Sequence, residues 1–168
     1  MQVLESMLPR IARQRQRPRD SQKQKLYNAE RPLKRQSKML VNRRGLNKYV
    51  RRVLKHKWFK KNWPDIYSIN PRSIRSDAHA HGWYAGGGVI AIQIPIAVWS
   101  LREVIVLHEI AHGLTEYKFG VNKTAWHGRE FARIFVSLVQ HYMGSEAGRE
   151  LRAAYREHRV KWRSNGRS

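Results

Sequence analysis

The chain has 168 residues and a hydrophobic content of 41%, which is enough for one domain with a single core. It contains no Cys, which excludes disulfide scaffolds, Cys-based zinc ribbons, iron–sulfur clusters and thiol catalysis. The net charge is +22, and residues 1–63 hold 20 basic and three acidic side chains, which indicates a polyanionic partner.

Composition divides the chain into three parts. Residues 1–19 are rich in Arg, Gln and Pro and are expected to be a disordered basic arm. Residues 20–144 are expected to form the folded domain, with a basic helical part at 20–63 and a nearly neutral core at 64–144. Residues 145–168 are expected to form an amphipathic helix and a basic tail. No apolar run approaches the ~18–20 residues of a membrane span, and the start lacks a secretory signal, so we expect a cytoplasmic protein with no membrane partner.

Two helices are predicted in the basic part. The first begins at Asp20, which is a plausible N-cap, and stops or kinks near Pro32. The second covers about residues 37–60, and Gly45 could divide it.

Strand patterns follow the basic part. Residues 66–70 alternate in the manner of a short strand, and residues 79–95 predict a hairpin around the glycines at 86–88. His79 and His81 precede this turn and are expected to be strand or loop histidines, although one of them could face a cleft.

The best-defined helix is predicted over residues 101–117. Ser100 and Glu103 form the capping-box pattern S-x-x-E in front of it, and Gly120 is expected to end it. A further helix is predicted over about residues 127–143. The order of elements predicts an α+β fold in which a small antiparallel sheet packs on the buried helix 101–117.

That buried helix contains the pattern H-E-x-x-H, at His108, Glu109 and His112. Residues i and i+4 share one face of a helix, so both imidazoles can bind one zinc ion. Glu109, beside the first imidazole, can take a proton from a zinc-bound water. Because His and Glu are costly to bury without a partner, metal binding accounts for all three residues. The alternative is two hydrogen-bonded core histidines and a Glu that pairs with an Arg.

A catalytic zinc needs a third protein ligand and leaves its fourth position to water. We expect His127 to be this ligand, because a short loop would let the next helix fold back across the H-E-x-x-H helix. Glu116 and Glu130 are alternative carboxylate ligands. Glu130 could instead accept a hydrogen bond from a ligand imidazole, or be a plain surface carboxylate.

The basic helical part predicts a nucleic-acid partner, with DNA expected ahead of RNA. Basic side chains neutralise phosphates, and interleaved aromatic side chains can stack on bases. The aromatic candidates are Tyr49, Trp58, Phe59 and Trp63. The candidate phosphate contacts are Arg43, Arg44, Lys48, Arg51, Arg52, Lys55, Lys57, Lys60 and Lys61. The alternative is a solvated cationic surface that aids solubility.

The segments VLHEIAHGL and WHGREFARIF resemble the SprT-like zinc metalloproteases, whose motif is H-E-x-x-H followed downstream by H-G-x-x-F/W. More closely, the chain resembles a group of small bacterial and phage-borne metallohydrolases whose domain opens with D-S-Q-x-x-x-x-Y-x-A-E. The residues that match this segment are Asp20, Ser21, Gln22, Tyr27, Ala29 and Glu30.

The resemblance covers about residues 20–143 and implies a minimal zincin fold, with the catalytic core at 64–144. It implies one zinc ion per chain with His108, His112 and His127 as ligands and with Glu109 as general base. It also implies that an edge strand of the sheet aligns an extended peptide. Lacking Cys, the chain has no zinc ribbon of the kind that many SprT-like proteins carry.

Together these features predict a zinc-dependent metallohydrolase, most simply a peptidase, with a protein or peptide substrate and a nucleic-acid partner. The substrate is expected to add as a strand to residues 89–94. Tyr84 and Tyr117 are candidate oxyanion stabilisers by residue type. The alternatives are a non-catalytic DNA- or RNA-binding protein with a structural metal site, and a zinc hydrolase of a non-peptide amide or ester.

Overall fold

The computed structural model describes residues 16–97 and 100–163. Most of the predicted basic arm and the end of the predicted basic tail lie outside these ranges. Within them the chain forms three strands: β1 (Ser68–Ile74), β2 (His81–Gly86) and β3 (Val89–Pro95). It also forms six helices: α1 (Lys23–Gln36), α2 (Arg43–Lys55), α3 (Lys57–Asn62), α4 (Glu103–Phe119), α5 (Arg129–Tyr142) and α6 (Ser145–Glu157).

The three strands form one mixed sheet in the order β1-β3-β2. The predicted hairpin is confirmed, because β2 and β3 pair antiparallel across a turn whose glycines, Gly86, Gly87 and Gly88, all have positive φ. β3 inserts between β2 and β1 and pairs parallel with β1, so the prediction of a purely antiparallel sheet is wrong. β3 is therefore the central strand, and the prediction that residues 89–94 offer a free edge is also wrong.

Helix α4 lies at the centre of the molecule, as its apolar sequence predicts. Thirteen of its residues from Val104 to Glu116, together with Glu103, are buried. It packs against β2 and β3 on one side and against α5 on another, and α6 packs between α5 and α1. One hydrophobic core contains residues from all six helices, so the α+β prediction is confirmed and the basic part 20–63 shares the core of the domain.

The N-terminal helices differ from their predicted bounds. Asp20 does not cap α1, whose N-cap is Gln22, and Pro32 lies inside the helix. The predicted second helix divides at His56 into α2 and α3, because the extended backbone of His56 ends one helix and its Nδ1 accepts a hydrogen bond from Trp58 N–H in the next. Gly45 lies in the first turn of α2, where its missing side chain leaves room for the carbonyl of Leu40.

The predicted capping box does not form. Helix α4 begins at Glu103, and the Ser100 hydroxyl instead donates to the carbonyl of Pro95. The Glu103 carboxylate accepts the backbone N–H of Lys38, which joins α4 to the segment between α1 and α2. The predicted end of α4 is confirmed, because Gly120 adopts φ +94° directly after it.

In the ranges 16–97 and 100–163, no helix combines the length and the apolar character that a membrane crossing requires.

Candidate metal centre

Helix α4 places His108 and His112 one turn apart on one face. Both side chains are buried, with 7% and 6% of their surface exposed. Helical periodicity alone brings the two imidazoles side by side, and their ring centroids lie 5.0 Å apart. The first part of the predicted site is therefore present.

His127 reaches the same place from the segment between α4 and α5. That helix begins at Arg129 rather than at residue 127, so His127 lies just ahead of it and turns back towards α4. Its Nε2 atom is 3.3 Å from Nε2 of His108, and it is as buried as the other two histidines. His108, His112 and His127, called the metal centre below, each offer one nitrogen within 4.8 Å of the others. The structure brings together the three histidines that the sequence singled out.

Two carboxylates orient these imidazoles. Nδ1 of His108 donates to Glu30 at 3.1 Å, and Nδ1 of His127 donates to Asp20 at 2.7 Å. A proton on Nδ1 leaves Nε2 of each neutral ring with a free lone pair, and these lone pairs point into the metal centre. Carboxylates bonded to the far nitrogen of a ligand imidazole are typical of metal sites.

One pair of these nitrogens has the spacing of two ligands on one metal ion. Ligand nitrogens lie about 2.0–2.1 Å from a tetrahedral zinc ion, which places any two of them about 3.3–3.4 Å apart. The 3.3 Å between Nε2 of His108 and Nε2 of His127 matches this separation. The buried cluster could therefore hold a metal ion.

Burial and mutual proximity shift the proton affinities of the three histidines. Burial lowers the pKa of His112 well below its ordinary value, and neighbouring His108 and His127 lower it further. Burial and His108 lower the pKa of His127 to about 4, although Asp20 opposes the shift. At His108 burial also acts to lower the pKa, but the Glu30 carboxylate outweighs it and the pKa is raised. Two of the three rings are thus held in the neutral form that metal binding requires.

Glu109 lies in the same cavity as the metal centre. Its side chain is buried, and this burial raises its pKa to about 7 even though His108 acts in the opposite direction. The cavity has a volume of about 550 Å³ and is partly open to solvent. Its wall includes residues from α1, from the start of β2 and from α4, as well as Trp126 just before α5. A buried carboxylate, three imidazoles and an accessible volume therefore meet at one place.

Aromatic rings and the side-chain amide of Gln22 pack around His112 and His127. Tyr27 of α1 packs edge-on against His127 at 5.0 Å between centroids, and Phe131 of α5 stacks on His112 at 4.3 Å. The buried Gln22 side chain donates to the backbone carbonyls of His127 and Lys161. The start of α1 thus ties the metal centre to the segment after α6.

The two alternative carboxylate ligands lie outside the metal centre. Glu116 forms a buried ion pair with Arg17 at 2.7 Å and accepts the backbone N–H of Tyr84. Both ring nitrogens of His108 and of His127 have partners other than Glu130. The hydrogen bonds proposed for Glu130 are made instead by carboxylates of the N-terminal segment.

Other sequence candidates fall into two groups. His79 and His81 are exposed residues that line the cavity, so the alternative that one faces the cleft fits both. The hydroxyl of Tyr117 donates to Asp65, and the hydroxyl of Tyr84 accepts the N–H of Gly88. Neither tyrosine lines the cavity, so the structure does not support either as an oxyanion stabiliser.

Sequence reasoning placed none of Asp20, Tyr27 and Glu30 at the metal site, and it interpreted Asp20 as a helix cap. All three belong to the D-S-Q-x-x-x-x-Y-x-A-E segment, which also contains Gln22. The match of this segment to the resembled group is the sequence signal that points to these residues. Four of its residues, Asp20, Gln22, Tyr27 and Glu30, contact the metal centre, while its Ala29 is buried in the core. The matching segment and the H-E-x-x-H helix belong to one site.

The nine candidate phosphate contacts, called the basic face below, are all exposed on α2 and α3. Among the residues that the structure describes, only Arg52 has a carboxylate partner, Glu103 at 3.7 Å. The interleaved aromatic residues point the other way. Tyr49, Phe59 and Trp63 are buried, and Trp58 stacks on His141 at 4.1 Å. The prediction that they stack on bases is wrong, because both helices are amphipathic and turn their aromatic side to the core.

The fold and the site define an α+β protein with a buried three-histidine cluster that could hold a metal ion. The chain matches no protein-family model, no curated protein and no solved structure. The geometry of the site is therefore what supports a function.

Proposed function

We propose that the protein is a zinc-dependent hydrolase of peptide bonds, with His108, His112 and His127 as zinc ligands. The observation that carries the proposal is the orientation of two imidazoles. With both rings neutral, the Nε2 lone pairs of His108 and His127 face each other at 3.3 Å, because Glu30 and Asp20 accept from the Nδ1 atoms. A cation between them removes this repulsion. A shared proton could link only two of the ring nitrogens, whereas one metal ion can bind a nitrogen from each of the three histidines.

The donor set favours zinc or a transition metal over magnesium and calcium. Imidazole suits Zn, Cu, Fe and Ni, whereas Mg and Ca prefer carboxylate, carbonyl and water oxygens. Three protein ligands leave one position of a tetrahedral zinc open, which is typical of catalytic rather than structural sites. When bound, the zinc ion supplies a Lewis acid that activates water near neutral pH.

Glu109 is the proposed general base. It follows the first ligand in sequence, lines the same cavity and is buried there. A carboxylate in this position accepts a proton from the attacking water and returns it to the leaving amine. The resemblance to SprT-like proteases assigns the same role to the matching Glu.

Strand β2 is the proposed guide for the substrate. Among the described strands it is an edge strand, and its first residue, His81, lines the cavity together with Ala80 and His79. An extended peptide can add to such an edge through backbone hydrogen bonds. This replaces the central strand β3 as the expected docking edge and agrees with the zincin-like fold that the resemblance implies.

The basic face supports an association with nucleic acid. Eight of its nine cations have no carboxylate partner in the described part of the chain, so their charge is available to phosphates. A protease that acts on proteins bound to nucleic acid would use both surfaces.

The decisive experiment compares Glu109→Gln with His127→Ala. We expect wild type to bind one zinc per chain and to cleave a mixed peptide library, as read by mass spectrometry. Glu109→Gln should keep its zinc and lose cleavage, and His127→Ala should lose both. His81→Ala, which keeps the metal centre intact, is the matched control for zinc content.

Three results would contradict the proposal. If the wild type takes up no zinc after loading, the three histidines are ordinary core residues. If it holds zinc and Glu109→Gln cleaves peptides as fast as wild type, Glu109 is not the general base. If it holds zinc and neither protein cleaves any peptide, the proposed peptidase activity is wrong, and a non-catalytic nucleic-acid-binding protein with a structural metal becomes the better description.

A further inference from the structure

We infer that the cavity beside the metal centre is a subsite for a carboxylate of the substrate, held by Lys23 and Lys34 of α1. This inference rests on the proposed function, since it names the class of peptide that the site would take. Both lysines line the cavity.

The two lysines lie on the face of α1 that is turned towards the metal centre. Lys23, Tyr27, Glu30 and Lys34 follow one another at spacings of four, three and four residues, so they lie on the same side of the helix. The hydrogen bond from His108 to Glu30 shows that this side faces the metal centre. The two lysines therefore belong to the wall of the site, unlike the cations on the other sides of α1.

Both ammonium groups gather around one aromatic ring. Nζ of Lys23 lies 5.7 Å from the ring centroid of Tyr27, and Nζ of Lys34 lies 5.3 Å from it. A cation within about 6 Å of an aromatic ring is attracted to it, which helps to hold the lysines at the cavity. Neither ammonium takes part in an ion pair with a described carboxylate. Their charge is free to meet a ligand.

The remaining charged groups of the cavity do not cancel these two. The carboxylates at the cavity are Asp20, which bonds to His127, Glu30, which bonds to His108, and Glu109. His79 and His81 on the opposite wall add no negative charge. With a divalent metal bound, the cavity holds more positive than negative charge, and an anionic group entering it is stabilised.

A carboxylate fits this site better than a nucleic-acid strand does. A strand carries a phosphate at every nucleotide and needs a track of cations, which the basic face on α2 and α3 offers. The cavity offers two lysines beside a mostly uncharged wall that includes Trp126 and Ile105. The two lysines offer their positive charge to a carboxylate, either of an acidic side chain or of a peptide C-terminus.

The test measures binding to the zinc-loaded full chain carrying Glu109→Gln, so that no probe is consumed. The probes are a blocked alanine pentapeptide with a central Glu, the same peptide with Gln, the Gln peptide with a free C-terminal carboxylate, and a short oligothymidylate. We expect one of the two carboxylate peptides to bind about tenfold more tightly than the blocked Gln peptide. This preference should vanish when Lys23→Gln and Lys34→Gln are added and should persist with Lys25→Gln, which lies on the opposite side of α1.

Whichever carboxylate peptide binds more tightly identifies the source of the charge. Equal affinity for all three peptides, no binding of any, or a preference that survives loss of both lysines would overturn the inference. So would an oligothymidylate that binds more tightly than the peptides and depends on the same two lysines. Hydrolysis by the wild type is scored separately. Cleavage without a charge preference would contradict only this inference. A lysine-dependent preference without cleavage would contradict only the proposed function.

Discussion

The carboxylate of Asp20 lies 2.7 Å from Nδ1 of His127, although 107 residues separate the two in the chain. Asp20 stands just before α1, and two residues later Gln22 bonds to the backbone carbonyl of the same histidine. The N-terminal segment thus holds His127 at both its side chain and its backbone. The third ligand of the proposed zinc site is positioned by a part of the chain that lies outside the H-E-x-x-H region.

The first prediction concerns these carboxylates. Asp20→Asn and Glu30→Gln each keep the size of the side chain but weaken the hydrogen bond that orients a ligand imidazole. We expect each substitution to lower zinc affinity about 10- to 100-fold, measured by competition with a chromophoric chelator. Glu130→Gln is the matched control and should leave the affinity unchanged. Equal losses in all three variants would mean that general charge, and not imidazole orientation, sets the affinity.

The second prediction concerns the buried ion pair between Arg17 and Glu116. Arg17 also lies 3.7 Å above the Trp126 ring. Arg17→Ala leaves the Glu116 carboxylate buried without its cation, so we expect the free energy of unfolding to fall by about 3 kcal/mol in urea titrations. Adding Glu116→Gln should recover part of this loss, because Gln can still accept the N–H of Tyr84. The exposed neighbour Arg19→Ala should change stability by less than about 0.5 kcal/mol.

The third prediction concerns the close approach of β2 to α4. A Cβ atom on Gly82 would lie 2.0 Å from the backbone carbonyl of Glu109, so Gly82→Ala must push the strand away from the helix. We expect a loss of about 3 kcal/mol of stability and a lower zinc affinity, because the displaced backbone belongs to the H-E-x-x-H turn. Ala85→Gly on the same strand should cost only about 0.5–1 kcal/mol and should not affect zinc. A Gly82→Ala variant with normal stability would contradict the packing of β2 on α4.

The fourth prediction concerns the basic face. Replacing Arg43, Arg44 and Arg51 by Gln should weaken binding of an oligonucleotide duplex, because each arginine that binds a phosphate displaces a counterion from the duplex. The slope of log affinity against log salt should fall by about one for each such arginine replaced. Arg133→Gln with Arg156→Gln removes two exposed cations elsewhere and serves as the control. Affinity that falls in proportion to the charge removed in both sets would point to net charge alone. An unchanged salt slope would remove the basic face as the phosphate-binding surface.

The sequence predicted much of the site because local rules determine it. Residues four apart on a helix share a face whatever the surrounding fold. Predicting that His108 and His112 converge therefore required only the prediction of a helix at these residues. His127 followed from the shortness of the segment between α4 and α5. The hairpin of β2 and β3 followed from its three glycines.

Non-local contacts were beyond such rules. His108 and Glu30 are 78 residues apart, and their hydrogen bond depends on how α1 packs beside α4. A pattern of apolar residues shows that α1 has a buried side but not which element covers it. The capping-box pattern failed partly for the same reason, because Glu103 accepts the backbone N–H of Lys38, 65 residues earlier in the chain. The Ser100 hydroxyl donates instead to the nearby carbonyl of Pro95.

By itself, then, the sequence determined the α+β class, the H-E-x-x-H helix and the three converging histidines, because each depends on spacing along a short stretch of chain. Only the tertiary structure decided that β3 is the central strand, that Tyr49 and Phe59 fill the core instead of facing a nucleic acid, and that Asp20 and Glu30 orient the metal centre. The physical reason is that strand order, helix orientation and carboxylate–imidazole contacts are set by packing between distant segments, whose free energy no local pattern contains.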